Sequence, residues 1–163
     1  MTYINLVLIG FMGSGKSSVA KSLYQKTKKL ILDSDKIIAN NENLSIPEIF
    51  SSKGEDYFRK CEKDFCYFVS KNIQNCIIAT GGGMPIFCDV KIMGKVFFLH
   101  LDFDNILSRL SKKEIQKRPL FENKNQALEL YLKRLETYKS NADIIINANQ
   151  SLEKISQDIL ESL

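Results

Sequence analysis

Five apolar runs punctuate the chain: "INLVLI" at 4–9, "LILD" at 30–33, "CIIAT" at 76–80, "KVFFLHL" at 95–101 and "ADIIINA" at 142–148. Each has strand length, and β-branched residues are frequent in them. Most are separated from the next by enough chain for a helix. Strands alternating with helical segments predict an α/β protein built around a mostly parallel sheet.

The intervening segments carry the other period. "SSVAKSLYQK" after the first run places Val19, Leu23 and Tyr24 at helical spacing. The longest helical pattern covers 47–73, and Gly54 predicts a break into two pieces. Near the end, "NQALELYLKRLETYK" and "SLEKISQDILESL" read as amphipathic helices, the second with Ser151 as N-cap. Lys154 stands three residues further on, so no capping box is expected there. Residues 111–124 are charged, contain Pro119 and show little apolar period, which predicts a mobile loop.

At 163 residues the chain has the size of one ordinary domain, and one domain, 1–163, is expected. No uninterrupted apolar stretch reaches membrane-spanning length, and no basic region precedes the first run. The expectation is a cytoplasmic protein without membrane association. Cys61, Cys66, Cys76 and Cys88 form no C-x-x-C pair and His100 is the sole histidine, so reduced, packed thiols are expected rather than a zinc site. His100, at a strand end, is expected to be held locally. The net charge of +4 is spread out, which argues against nucleic acid as a partner.

The chemistry starts where the first run ends. "GFMGSGKS" matches Gly10-x-x-x-x-Gly15-Lys16-Ser17, a complete P-loop between a predicted strand and a predicted helix. Such a loop cradles phosphate oxygens with backbone N–H groups at a helix start, so a nucleoside triphosphate is the expected ligand. A guanine reader of the Asn-Lys-x-Asp kind is missing: "NKNQ" at 123–126 lacks the aspartate. That favours an adenine nucleotide and a small kinase.

Four further stretches bear on the acceptor. "LDSDK" places Asp33 and Asp35 at the second strand's end; two apart on extended chain, they are expected to point the same way. One carboxylate would face the Mg²⁺ water shell, the other an acceptor hydroxyl. Gly81, Gly82 and Gly83 after the third strand offer a bare backbone surface for a flat polar ligand. Arg59, Arg118 and Arg134 suit anionic groups, because a guanidinium binds carboxylate and phosphate through paired hydrogen bonds.

Taken in order and spacing, "GFMGSGKSS", "DSD", "SIPEIF…GEDYFRKCE", "TGGG", "KRPL" and "RLETY…AD" resemble the bacterial shikimate kinases, from Leu6 to about Asp143. The resemblance implies a three-layer α/β/α sandwich with a five-stranded parallel sheet in order 2-3-1-4-5, similar to the nucleoside monophosphate kinases. It implies ATP-dependent phosphorylation of the shikimate 3-hydroxyl on the route to chorismate and the aromatic amino acids, by a monomer with substrate-binding helices about 34–62 and a lid about 111–124.

Carried over by position, Gly13, Ser14, Gly15, Lys16, Ser17 and Ser18 would hold the phosphates, with Lys16 on the β/γ-phosphates, Ser17 on Mg²⁺ and Asp33 supporting the metal through water. Asp35, Arg59, Gly82 and Arg134 match shikimate-binding positions, within a turn that also includes Gly81 and Gly83. Arg118 matches the lid arginine, Arg109 the arginine against adenine, and Gln150 is the candidate for the adenine edge. Lys16, Asp35 and Arg118 would carry the catalysis. The chain departs from the pattern between Arg134 and Tyr138, where Glu136 and Thr137 stand and the usual proline is missing, and in a slightly long spacer from Arg109 to Arg118. Two other readings stay open here: another small-molecule P-loop kinase, for instance one acting on gluconate, and a nucleotide-binding regulatory module without turnover.

Overall fold

The computed structural model describes residues 4–116 and 118–163; residues 1–3 and Lys117, part of the expected lid, lie outside the described residues. Five strands form one parallel sheet: β1 (Leu6–Ile9), β2 (Ile31–Asp33), β3 (Ile77–Ala79), β4 (Lys95–His100) and β5 (Ile144–Asn147). Their order is β2-β3-β1-β4-β5. All five expected runs are strands, slightly trimmed at their ends. β1 lies at the centre, pairing Leu6 with Ile77 on one side and with Lys95 on the other. All four of its side chains are fully buried, which is why it reads as a continuous apolar run rather than an alternating one. Buried Asn5 leads into it and pays its desolvation in full: its amide donates to the carbonyls of Ile73 and Met93, both at 2.8 Å, and accepts from the N–H of Cys76 at 2.9 Å.

The helices are α1 (Lys16–Thr27), α2 (Ser34–Glu42), α3 (Ile46–Lys53), α4 (Glu55–Asn72), α5 (Met84–Phe87), α6 (Phe103–Arg109), α7 (Lys112–Gln116), α8 (Lys124–Asn141) and α9 (Leu152–Glu161). Gly54 separates α3 from α4 as expected, with φ of 87°. Ser151 caps α9 by accepting from the N–H of Lys154 at 3.2 Å. The helices α2, α3 and the first turns of α4 enclose a small core of their own, in which Ile38, Ile49 and Phe58 are buried.

Two expectations are corrected. Residues 111–124 do not form a plain loop: they hold α7 and a 3-10 turn over Pro119–Glu122. A short helix without a periodic apolar face persists because Ser111 and Glu114 cap each other, N–H to Oε2 at 2.8 Å and N–H to Oγ at 3.3 Å. Phe121, 3 % exposed, then pins the turn to the core against Phe11 of the P-loop, their rings 6.2 Å apart and nearly perpendicular. The second correction concerns Asp35, which lies not on extended chain but in the first turn of α2. Asp33 ends β2 and caps that helix, accepting from the N–H of Lys36 at 3.2 Å.

Candidate active site

The carboxyl ends of β1, β2 and β3 open on one side of the sheet, where α/β folds bind ligands. β1 runs into the P-loop. Gly13 and Gly15 there have φ of 84° and 95°, a left-handed backbone that other residues adopt only at a cost. Gly15 is the N-cap of α1 and offers no side chain to the helix's first N–H groups, which leaves them available to an anion. The Lys16 ammonium folds back over the loop and donates to the carbonyls of Gly10 at 2.7 Å and Phe11 at 3.0 Å. Burial is the largest cause that pushes its pKa down, to about 8, against the pull of Asp35 and with the repulsion of Arg118.

β2 delivers the two aspartates through the strand-to-helix turn. Burial, and next the neighbouring charge of Asp33, raise the pKa of Asp35, while Lys16 and Arg59 oppose the shift. Its Oδ1 is buried and has no hydrogen-bond partner, as has Nη1 of Arg118 across the cleft. A buried polar atom without a partner is costly, and these two belong to residues that line the cleft.

β3 ends in the triglycine turn, whose glycines have a use beyond the one expected. A Cβ on Gly81 would stand 2.5 Å from Asp35 Oδ1, and one on Gly83 2.6 Å from Arg59 Nη1. The turn is the hollow into which the site's own charged side chains fit, and Gly81 and Gly82 also line the cleft. Arg134 Nη1 is 3.9 Å from the corresponding point at Gly82. Three charged groups from α2, α4 and α8 therefore meet at one turn.

Arg59 is supported from behind. Arg59 donates through Nη1 to Glu62 at 2.7 Å and through Nη2 to Glu55 at 3.0 Å, and the ring of Phe87 lies 4.1 Å from its guanidinium. Glu62 is fully buried, and burial lifts its pKa to about 7 although the Arg59 bond pulls the other way. Tyr138, one helical turn after Arg134 on α8, donates to the carbonyl of Gly82 at 2.6 Å.

A cleft of about 590 Å³ joins these parts, well within the range of small-molecule sites. Gly13, Gly15, Lys16, Ser17 and Ser18 line it from the loop; Asp33, Asp35, Gly81 and Gly82 line it from the other strand ends. Arg109 and Arg118 complete it, Arg109 held by a 2.8 Å bond to the carbonyl of Ala148. Other expected residues are not on its wall. Ser14 is buried behind the loop, Gly83 and Arg59 sit beside the cleft rather than on it, and Arg134 reaches only the turn. Gln150 is turned away, donating to Asp158 at 2.7 Å. Met12, Leu110 and Leu152 line the cleft without having been singled out, since an isolated apolar residue carries no pattern. Glu62 and Tyr138 had a readable signal, the helical spacing of three and four from Arg59 and Arg134. His100 is held locally, 3.9 Å from Asp102 and with its ring 5.4 Å from that of Phe98, tilted by 40°.

A phosphate-cradling loop at the central strand, with carboxylates and arginines gathered at the adjoining strand ends, defines a P-loop phosphotransferase acting on a small anionic molecule. The chain belongs to the shikimate kinase family, whose model, "Shikimate kinase", matches residues 12–163. A shikimate kinase of Helicobacter hepaticus is 44 % identical over 98 % of this chain and 95 % of its own. The solved structure of a shikimate kinase from Acinetobacter baumannii in complex with shikimate superposes with a TM-score of 0.85 at 32 % identity, over 99 % of this chain and 93 % of that one. A gluconokinase from Sinorhizobium meliloti, with a TM-score of 0.61 at 16 % identity over 98 % of this chain and 91 % of that one, shares the fold alone.

Proposed function

We infer that this chain transfers the γ-phosphoryl group of ATP to the 3-hydroxyl of shikimate, giving shikimate 3-phosphate and ADP, as one domain in which helices within 34–62 hold the acceptor and 111–124 form the lid. The family membership supports the activity, and one observation carries its assignment to this site: Asp35, Arg59 and Arg134 converge on the triglycine turn beside the P-loop. An aspartate between two arginines suits an acceptor that bears both a hydroxyl and a carboxylate.

The residues fit a hard divalent cation, and Mg²⁺ is the ion proposed. Ser17 and Asp33 offer oxygens to the cleft, and among the described residues no cluster of three acidic, imidazole or thiol groups completes a cage. An incomplete oxygen shell finished by phosphates and water is how Mg²⁺ is commonly held. When bound there it would neutralise phosphate charge.

Phosphoryl transfer through a loose transition state asks the protein for alignment and for positive charge around the equatorial oxygens. Lys16 and the N-terminus of α1 supply that charge from the loop side, Arg118 from the lid side. The unpartnered Nη1 of Arg118 and Oδ1 of Asp35 are the donor and the acceptor that substrates would satisfy. Asp35 accepts the hydroxyl proton or aligns the attacking oxygen, and closure of the lid keeps water from taking the phosphoryl group. ADP release with ATP and Mg²⁺ over a panel of hydroxy acids tests the reading. Release should depend on shikimate, stay at background with gluconate, and vanish in Lys16→Ala. Equal rates with gluconate favour the broader kinase reading; nucleotide binding without turnover favours the regulatory module.

A further inference from the structure

Arg59 is gripped in the plane of its guanidinium and covered on a face. Nε and Nη2 donate to Glu55 Oε1 at 3.1 and 3.0 Å, and Nη1 donates to Glu62 Oε2 at 2.7 Å. That leaves one N–H on each terminal nitrogen, the pair that a carboxylate takes through parallel bonds. Gly83 keeps the approach to them clear, since a Cβ there would stand 2.6 Å from Nη1 and 2.9 Å from Nη2. The ring of Phe87, at the end of α5, lies over the guanidinium with its centroid 4.1 Å from Cζ. We propose that Phe87 is a positioning residue: its ring holds Arg59 with the remaining N–H pair toward the acceptor, and so sets how tightly the acceptor's carboxylate is bound. The effect on the acceptor rests on the function inferred above; the hold on Arg59 does not.

The ion pairs alone do not fix that geometry. The Glu55 side chain is 55 % exposed, and an ion pair open to water contributes little. The Glu62 bond is buried but grips a single nitrogen, about which the guanidinium can still pivot. There is also room to pivot into: Arg59 lines an outer hollow of about 510 Å³, where the charges of Glu55 and Asp56 attract a guanidinium and those of Lys60 and Lys63 repel it. Phe87 is the aromatic wall of that hollow. A π face attracts the cation and resists tilting of its plane, which bonds within the plane do not. The rings of Phe58 and Phe50 are farther away, at 5.3 and 5.8 Å, and belong to the small core of α2, α3 and α4.

The position of the ring is set by its neighbours rather than by its own burial. Phe87 is 42 % exposed, whereas Met84 and Pro85 of the same short helix are buried. Carbonyls of this run accept from α8: that of Gly82 from the Tyr138 hydroxyl at 2.6 Å, and that of Pro85 from the Asn141 amide at 3.2 Å. The helix that carries Arg134 therefore also places the ring that covers Arg59. Because so much of the ring lies outside the core, replacing it should disturb Arg59 more than the fold.

The consequence is specific to the acceptor. A cation–π contact at a partly exposed site is worth up to about tenfold in an equilibrium constant. A guanidinium free to tilt binds a carboxylate less tightly in the ground state and the transition state alike, so the acceptor's KM rises while kcat stays. ATP, held at the P-loop, is unaffected.

The experiment compares Phe87→Leu and Phe87→Tyr with Tyr67→Leu, a control that removes an exposed ring 5.8 Å from Lys71 farther along α4. Full-length protein is read in two ways: steady-state kinetics with shikimate and ATP, and the rate at which phenylglyoxal modifies Arg59, mapped by peptide mass. In Phe87→Leu the shikimate KM should rise about three- to tenfold, with kcat and the KM for ATP near those of the parent. Arg59 should be modified several-fold faster there, while Arg109 keeps its parental rate. Phe87→Tyr, which keeps the ring, and Tyr67→Leu should match the parent in both readouts. A parental shikimate KM in Phe87→Leu overturns the effect on acceptor binding, and an unchanged modification rate overturns the hold on Arg59. A rise in Phe87→Tyr equal to that in Phe87→Leu, or a loss shared by kcat and the KM for ATP, assigns the effect to packing and overturns the proposal as well. If the parent does not phosphorylate shikimate, the inferred function fails, and the modification rate still decides what the ring does to Arg59. Phe87→Met serves if Phe87→Leu does not fold.

Discussion

At the scale of the residue, Asp35 and Lys16 are where burial has most chemical effect. A carboxylate that merely anchors a hydroxyl stabilises ground and transition states alike, whereas one that aligns or deprotonates it acts mainly in the transition state. Asp35, half-buried, with Oδ1 unpartnered and its pKa raised, is proposed to be of the second kind. Asp35→Asn should lower kcat by about 10²–10⁴-fold; steady-state kinetics showing only a raised KM would leave Asp35 a binding residue. Lys16 makes a different prediction. With its pKa at about 8 it is partly neutral in the free protein in mildly alkaline solution, and a polyphosphate beside it favours the ammonium form. ATP binding at a pH slightly above that pKa should therefore take up a proton. Calorimetry in two buffers of different ionisation enthalpy reads this directly, and identical binding heats would refute it.

Among the elements, α4 carries a conflict between stability and site. Its Glu62 fixes Arg59 but is itself fully buried, so its pKa rises from 4.5 to about 7. The native protein thus holds more protons than the unfolded chain between those values. Stability from this group is complete below about pH 4.5 and is lost as pH rises to about 7. The upper bound is about 3 kcal/mol, and ion pairing with Arg59 in place of the free carboxylate keeps the real figure lower. Arg59, Asp35 and Arg134 are the charges that face it, and Asp35, whose pKa is also raised, contributes a slope of the same sign. Comparison with Glu62→Gln isolates the glutamate: urea unfolding should show a shallower loss of stability with pH in the variant. Parallel pH profiles would assign the slope elsewhere.

For the whole molecule the question is how the proposed lid, the P-loop and the proposed acceptor helices come together. Arg118 already approaches Gly13, its Nη1 3.5 Å from where a Cβ would stand, and Phe121 is anchored against Phe11 and the core. Among the described residues of 111–124, Ile115 and Leu120 pack partly on the core, and most of the others are exposed and polar. Backbone of that kind opens easily. Hydrogen exchange should show its amides protected chiefly when ATP and shikimate are bound together. Equal protection in free and ternary states would deny it a gating role.

The sequence by itself determined the strands, the P-loop and the principal helices, because hydrophobic period, glycine placement and capping residues act over a few neighbours. It also singled out Asp33, Asp35, Arg59 and Arg134, whose residue types suit anions and whose order resembles a family. It could not show that Asp35 is placed by a helix turn, that residues 111–124 contain α7, or that Gln150 faces Asp158. Only the tertiary structure decided that the triglycine turn is a hollow for Asp35 and Arg59, and that Glu62 and Tyr138 stand behind the arginines. Those contacts join residues from different elements, and their distances follow from how the elements pack around the sheet, which no local pattern encodes.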